Sequence, residues 1–410
     1  MTTMPSTAAP APPGPTGVLP EPLHGPEFSS YAAHEVSWLL TDLSEVPLEA
    51  PTEEREEAIQ SGGAHYAEML PVEYQPSPEY QELFHQALRS SAARIARAVG
   101  AVTETLLAER GTRSEGGSLV LASLARAGTP VGVLMRRWAA YAHGFDLPHY
   151  AVSIVRGRGI DPVALRYLAA HHDPLDVVFL DGWTGKGAIT RELHDALDGT
   201  GFDPELAVLA DPGRCVSTYG TRDDFLIPSA CLNSTVSGLI SRTVLRADLI
   251  GPDDFHGAKY YRDLASADVS GAFLDIVTDH FPAVRDAAVQ DAADLVEADP
   301  ADRAPTWEGW AAVERISAEY GIDSVNLVKP GVGETTRVLL RRVPWRILAR
   351  RGSGADLDHV RLLAAQRGVP VEEVDGLPYS CVGLIHPRYT RGATGEHGTA
   401  VTPPRGGDAQ

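Results

Sequence analysis

The chain has 410 residues, is 43% hydrophobic, and carries 35 Lys+Arg against 55 Asp+Glu for a formal charge of −20. That apolar content excludes wholesale disorder, the length suits two or three domains, and the acidic balance argues against a nucleic-acid binder built over the whole chain. Apolar stretches such as Leu119 to Ala125 fall far short of a bilayer span, and no Lys or Arg precedes an apolar core at the N-terminus. The expectation is therefore a cytoplasmic protein without a membrane partner.

Residues 1–30 are rich in Pro, Ala, Gly, Ser and Thr without periodicity, and predict a disordered leader. Residues 31–115 predict a helical cap. Ala32 to Ser44 and Glu53 to Gln60 read as short amphipathic helices, and Ser77 to Arg110 as a long one. Its opening is Ser77-Pro78-Glu79, its apolar residues Leu83, Ala87, Ile95, Val99, Val102 and Leu106 recur near i, i+3, i+4, and Gly111 ends it.

From 116 to 290 strands and helices alternate. Ser118 to Ser123, His149 to Val155, Asp176 to Leu180 and Leu206 to Ala210 read as strands, and Asp161 to His171 as one of the helices between them. Such alternation predicts an α/β fold with a doubly wound, mostly parallel sheet. The acidic, Ala-rich, Pro-containing stretch 291–305 reads as a linker, 306–390 as a small α/β unit, and 391–410 as a disordered polar tail. Charge divides accordingly: 305–390 holds eleven basic and ten acidic residues, the tail is neutral, and residues 1–304 carry −21.

Ligands of open parallel sheets bind outside the carboxyl ends of the strands. Two junctions there have suitable chemistry. In Arg126-Ala127-Gly128-Thr129-Pro130 the small residues let backbone N–H groups approach an anion, and Arg126 supplies a guanidinium. In Asp181-Gly182-Trp183-Thr184-Gly185-Lys186-Gly187-Ala188 the glycines expose donors ahead of a helix, with Lys186 and Thr184 adding charge and a hydroxyl. The spacing is not that of a Walker A loop. Asp181, ending its strand, could hold a diol or a hydrated Mg²⁺. Arg156 and Arg158, just after another strand, could contact phosphates or pair with the acidic body.

With these loops the chain resembles type I phosphoribosyltransferases. The resemblance implies that Arg126, Ala127 and Gly128 grip pyrophosphate, that Thr184, Gly185, Lys186, Gly187 and Ala188 cradle the 5-phosphate of PRPP, and that Asp181 meets the ribose hydroxyls with Mg²⁺. The family usually has two adjacent acidic residues where this chain has Asp181-Gly182. The strings SLARAGTPVGVLMRRW, HYAVSIVRGRGID, DGWTGKGAITREL and GTRDDFLIPSACLNSTVSGLISRTVL, within residues 30–285, further resemble the StiP family. That resemblance implies a phosphoribosyltransferase-like core, an association with bacterial tellurium-resistance (Ter) stress-response clusters, and a label, for some members, of cysteine protease. The leading expectation is a PRPP- or ribose-phosphate-binding enzyme with Asp181 and Arg126 catalytic, acting on a nucleoside, nucleotide or RNA-linked substrate.

The thiols give the alternative. Cys215, Cys231 and Cys381 are widely spaced with no CxxC pair, which suits reduced thiols and offers no zinc site. Cys231 lies in Pro228-Ser229-Ala230-Cys231-Leu232-Asn233, a helix-start pattern that would favour thiolate, and His256 is the nearest downstream base, with Asp253 or Asp254 to orient it. A lone Cys among apolar residues is more commonly core.

At the C-terminus Lys329-Pro330-Gly331-Val332-Gly333-Glu334-Thr335-Thr336-Arg337 resembles the Gly-x-Asn-Glu-Thr-Thr-Lys signature of the pelota/L7Ae RNA-binding fold. The resemblance implies a compact α/β/α unit over about 320–386 that reads kinked RNA through Lys329, Gly333, Glu334 and Arg337. Gly333 stands where the signature has Asn. Arg341 lies one turn beyond Arg337 on the same face, extending a phosphate track. RNA is the expected macromolecular partner, with no reading of DNA sequence, and a non-catalytic RNA-binding regulator is the third possibility.

Overall fold

A computed structural model describes residues 18–50, 67–73, 75–110, 119–341 and 343–386. In chain order its main elements are β1 (Ser37–Leu39), α1 (Pro78–Arg110), β2 (Val120–Ala125), α2 (Thr129–His143), β3 (His149–Val155), α3 (Pro162–His171), β4 (Val177–Trp183), α4 (Ala188–Leu197), β5 (Leu206–Ala210), β6 (Thr218–Thr221), α5 (Ser270–Asp279) and α6 (Phe281–Glu297). After these come α7 (Glu308–Glu319), β7 (Val328–Pro330), α8 (Gly331–Arg341), β8 (Arg346–Arg350), α9 (Asp358–Gln366), β9 (Val371–Val374) and β10 (Cys381–Leu384).

The central sheet runs β1-β3-β2-β4-β5-β6 with every neighbour parallel, and the short strand Gly159–Ile160 pairs antiparallel against β3. Alternate residues of each strand feed opposite faces. Leu121 joins Ile95, Val99, Trp138 and Phe281 of α1, α2 and α6 in one apolar layer. Val120 and Phe179 join Leu165 of α3 and Leu193 of α4 in the other. A parallel sheet needs both faces covered, and here helices cover both.

The expected mostly parallel α/β sheet and the long helix at 78–110 are present. Three expectations fail. Ala32 to Ser44 is not a helix: it supplies the edge strand β1, whose Trp38 and Leu39 are both fully buried because the strand is sealed on its two faces. The leader expected over residues 1–30 is in part built into the fold, since Leu23 bridges to Trp38 and Phe28 packs edge-on against its indole. The stretch 291–305 is not a linker through its length: α6 continues to Glu297, burying Ala288 and Ala292 while Asp291 pairs with Arg97 of α1 at 2.6 Å. The expected helix Glu53 to Gln60 and the tail 391–410 lie outside the described residues.

The C-terminal unit is a four-stranded mixed sheet, β7-β10-β8-β9, with β8 and β9 parallel and the other pairs antiparallel. Val313 and Ile316 of α7, Leu348 and Tyr379 form its own core. On its other side Val332, Leu339 and Ile347 join the apolar layer of the larger unit. The two units are packed together rather than tethered.

Candidate active site between the two units

The strand order reverses between β2 and β4: the chain moves from β2 out to β3 and then back past β2 to β4. Their carboxyl ends form the topological switch point where such sheets bind ligands. The two loops touch there. A Cβ on Gly128 would stand 2.5 Å from the Leu180 carbonyl oxygen, so only glycine permits the approach. Arg126 and Ala127 after β2, and Asp181, Gly182 and Trp183 at the end of β4, open together onto a cavity of about 700 Å³.

Its remaining walls come from the 3₁₀ turn Pro228–Cys231 with the residues after it, from Arg242, and from the C-terminal unit. Ser229, Ala230, Leu232 and Asn233 face Lys329, Gly333, Glu334 and Arg337 across it. Arg126, Asp181 and the pelota-like signature, which ends 211 residues after Arg126 at Arg337, therefore share one site. Within it Arg126 donates to the Ile240 carbonyl at 2.8 Å and stands 3.9 Å from Glu73. Arg337 donates to Asn233 Oδ1 at 3.2 Å. The side chain of Arg341 lies outside the described residues.

The second expected phosphate loop is elsewhere. Gly185 faces the C-terminal unit, its carbonyl accepting the Tyr379 hydroxyl at 2.6 Å, and Lys186 donates to the Val325 and Val328 carbonyls at 3.1 and 3.0 Å. Burial pulls the Lys186 ammonium down to about 8. The cradle expected of Thr184, Gly185, Lys186, Gly187 and Ala188 is thus a docking seam, filled by protein groups. Arg156 and Arg158 are exposed outside the cavity, with Arg158 3.4 Å from Glu68. Asp181 accepts from the Gly182 N–H at 2.7 Å, and burial raises its carboxyl to about 7. Among the described residues no group of three or more His, Cys, Asp or Glu could hold a metal, and no helix is long and apolar enough to cross a membrane.

All three cysteines are buried and free. Cys215 is held in the seam, with Sγ 3.4 Å from the Gly213 carbonyl and 3.9 Å from that of Gly185. Burial, then the neighbouring Asp211, pushes its thiol up to about 12. Cys381 lies inside β10, and burial raises it as well. Cys231 ends the turn and is 2% exposed: its sequence neighbours Ala230 and Leu232 line the cavity, and it lies behind them. Burial pushes it up to about 12 too, but the charge acting on it, Arg337, pulls the other way. The expected Cys231–His256 pair is not formed: His256 Nδ1 meets Ser153 Oγ at 2.8 Å, and its backbone N–H donates to Asp161 at 2.6 Å. Asp253 pairs with Arg166 at 3.0 Å instead of orienting it.

Two acidic residues matter that the sequence reading passed over. Asp211 directly follows β5, near the same edge of the sheet as Asp181, and caps the turn that holds Cys215 by accepting its N–H at 2.9 Å. A strand-end carboxylate could have been noticed on the same ground as Asp181. Asp224 accepts from Val332 N–H at 2.9 Å and Ser380 N–H at 2.7 Å, joining the two units, and no local pattern marks it.

Residues 29–278 match the family model described as "Tellurite-like stress resistance cysteine protease StiP", and 307–387 match the PELOTA RNA binding domain. The chain is 35% identical over 370 residues to the protein named cysteine protease StiP of Acinetobacter baylyi, covering 87% of this chain and 93% of that protein. No solved structure matches it. Family and relative alike carry the name of a cysteine protease, which overturns the expectation of a phosphoribosyltransferase using PRPP.

Proposed function

Because the chain belongs to the StiP family, we propose that it is a thiol peptidase whose nucleophile is Cys231 and whose substrate lies in the cavity between the two units. What supports the choice of thiol is its place in the turn Pro228–Cys231, whose neighbours Ala230 and Leu232 line the cavity. The Cys231 sulfur bonds to the scissile carbonyl carbon, the C–N bond breaks and the thiol's proton ends on the departing amine; water then hydrolyses the thioester to the acid and returns the thiol. Cys231 is 2% exposed, so in this reading the wall must loosen before its thiol meets a substrate. In this reading Cys215 and Cys381 are structural.

The match to the PELOTA domain supports RNA binding as a second activity, through Lys329, Gly333, Glu334 and Arg337. The peptidase reading is tested by turnover of an unfolded protein substrate. Cys231→Ser is expected to lose at least ~100-fold in rate, whereas Cys215→Ser retains activity. Activity that survives Cys231→Ser and disappears with Cys215→Ser would overturn it.

A further inference from the structure

The residues with which the C-terminal unit would meet RNA, Lys329, Gly333, Glu334 and Arg337, are half-buried and line the cavity against the larger unit. The first turn of α8 is pressed onto the larger unit, and Gly331, at φ +79°, would place a Cβ 2.6 Å from the Trp183 ring and 3.1 Å from Asp224 Oδ1. Asp224 is buried and sends one carboxylate oxygen to the Val332 N–H, at the start of α8, and the other to the Ser380 N–H. Its backbone carbonyl accepts the Ser380 hydroxyl at 2.9 Å. One of these donors, the Val332 N–H, belongs to the N-terminus of α8, so the Asp224 carboxylate takes a backbone donor of the kind an RNA phosphate would use. Arg337 is turned to Asn233, two residues from Cys231, and Glu334 Oε2 is buried with no hydrogen-bond partner among the described residues.

We propose that RNA and the larger unit compete for this one face of the C-terminal unit, with Asp224 standing in for RNA phosphate. RNA binding then releases α8 from the wall and uncovers Cys231. The second half rests on the peptidase reading only for its purpose, because exposure of Cys231 is measurable without turnover. Reciprocity follows from linkage: whatever weakens docking strengthens RNA binding, and RNA weakens docking.

The test uses the full chain and a fluorescent RNA hairpin with an asymmetric internal loop. Asp224→Asn, which keeps the shape and removes the charge, is expected to bind this RNA at least about fivefold more tightly than wild type. Tyr379→Phe, which loosens the same seam away from the RNA face, should shift affinity in the same direction. In wild type, saturating hairpin should accelerate iodoacetamide labelling of Cys231, read by peptide mass mapping, at least about fivefold while leaving Cys215 slow. If both variants bind the hairpin no more tightly than wild type, or if saturating hairpin leaves Cys231 labelling unchanged, the competition is refuted. RNA-accelerated labelling in a protein that cleaves no substrate would instead remove the peptidase reading and keep the competition.

Discussion

Cys215 and Cys231 are both buried and their thiols are both pushed up to about 12, yet the two stand in different settings. Cys215 belongs to the sealed side of the sheet's carboxyl edge. There the loop after β4 is closed by Tyr379, and the Gly309 N–H donates to the Gly213 carbonyl at 3.0 Å. Cys231 belongs to the open side, where the loop after β2, the 3₁₀ turn and α8 leave a cavity between them. Burial alone does not separate a structural thiol from a reactive one. What distinguishes them is what must move to expose each: a seam of hydrogen bonds through the middle of the docked units, or a turn at the edge of an existing space.

The sharpest way to break this contrast is to cut the seam. Asp224→Ala leaves two buried N–H groups without an acceptor and is expected to cost about 2–4 kcal/mol of stability, measured by denaturant unfolding. A loss below about 1 kcal/mol would mean that docking does not depend on this carboxylate. On the open side the expected effect is smaller and appears as a pH dependence. Burial raises the Asp181 carboxyl to about 7, so the folded state binds its proton more tightly than the unfolded chain does. Asp181 therefore contributes stability at low pH that is lost as pH rises through about 7. Wild type should gain thermal stability relative to its Asp181→Asn variant as the pH is lowered from about 8 to about 6. A difference between the two proteins that is constant with pH would show that Asp181 titrates normally.

Much of the fold was legible because its rules are local. Helical spacing marked α1, and alternating strands and helices marked a parallel sheet whose switch point brings Arg126 and Asp181 together. The failures share a cause in non-local burial. Val36, Leu39, Leu40 and Leu43 fit helical spacing, but Trp38, Leu39 and Leu40 are all buried in the structure. An edge strand covered on both faces shows no alternation. The alanines of α6 looked like linker composition until α1 was there to receive them. The loop Thr184 to Ala188 has every residue type a phosphate cradle needs, and only the arrival of Tyr379 and the backbone carbonyls after α7 makes it a seam. Asp224 was invisible for the same reason, since its partners are more than a hundred residues away.

The most direct measurement is covalent trapping of the intact protein with a peptidyl chloromethyl ketone, followed by mapping of the modified residue. The account predicts a single adduct on Cys231, slow to form in the resting protein and blocked by an unfolded protein substrate. An adduct on Cys215, or equal modification of both thiols, would contradict it.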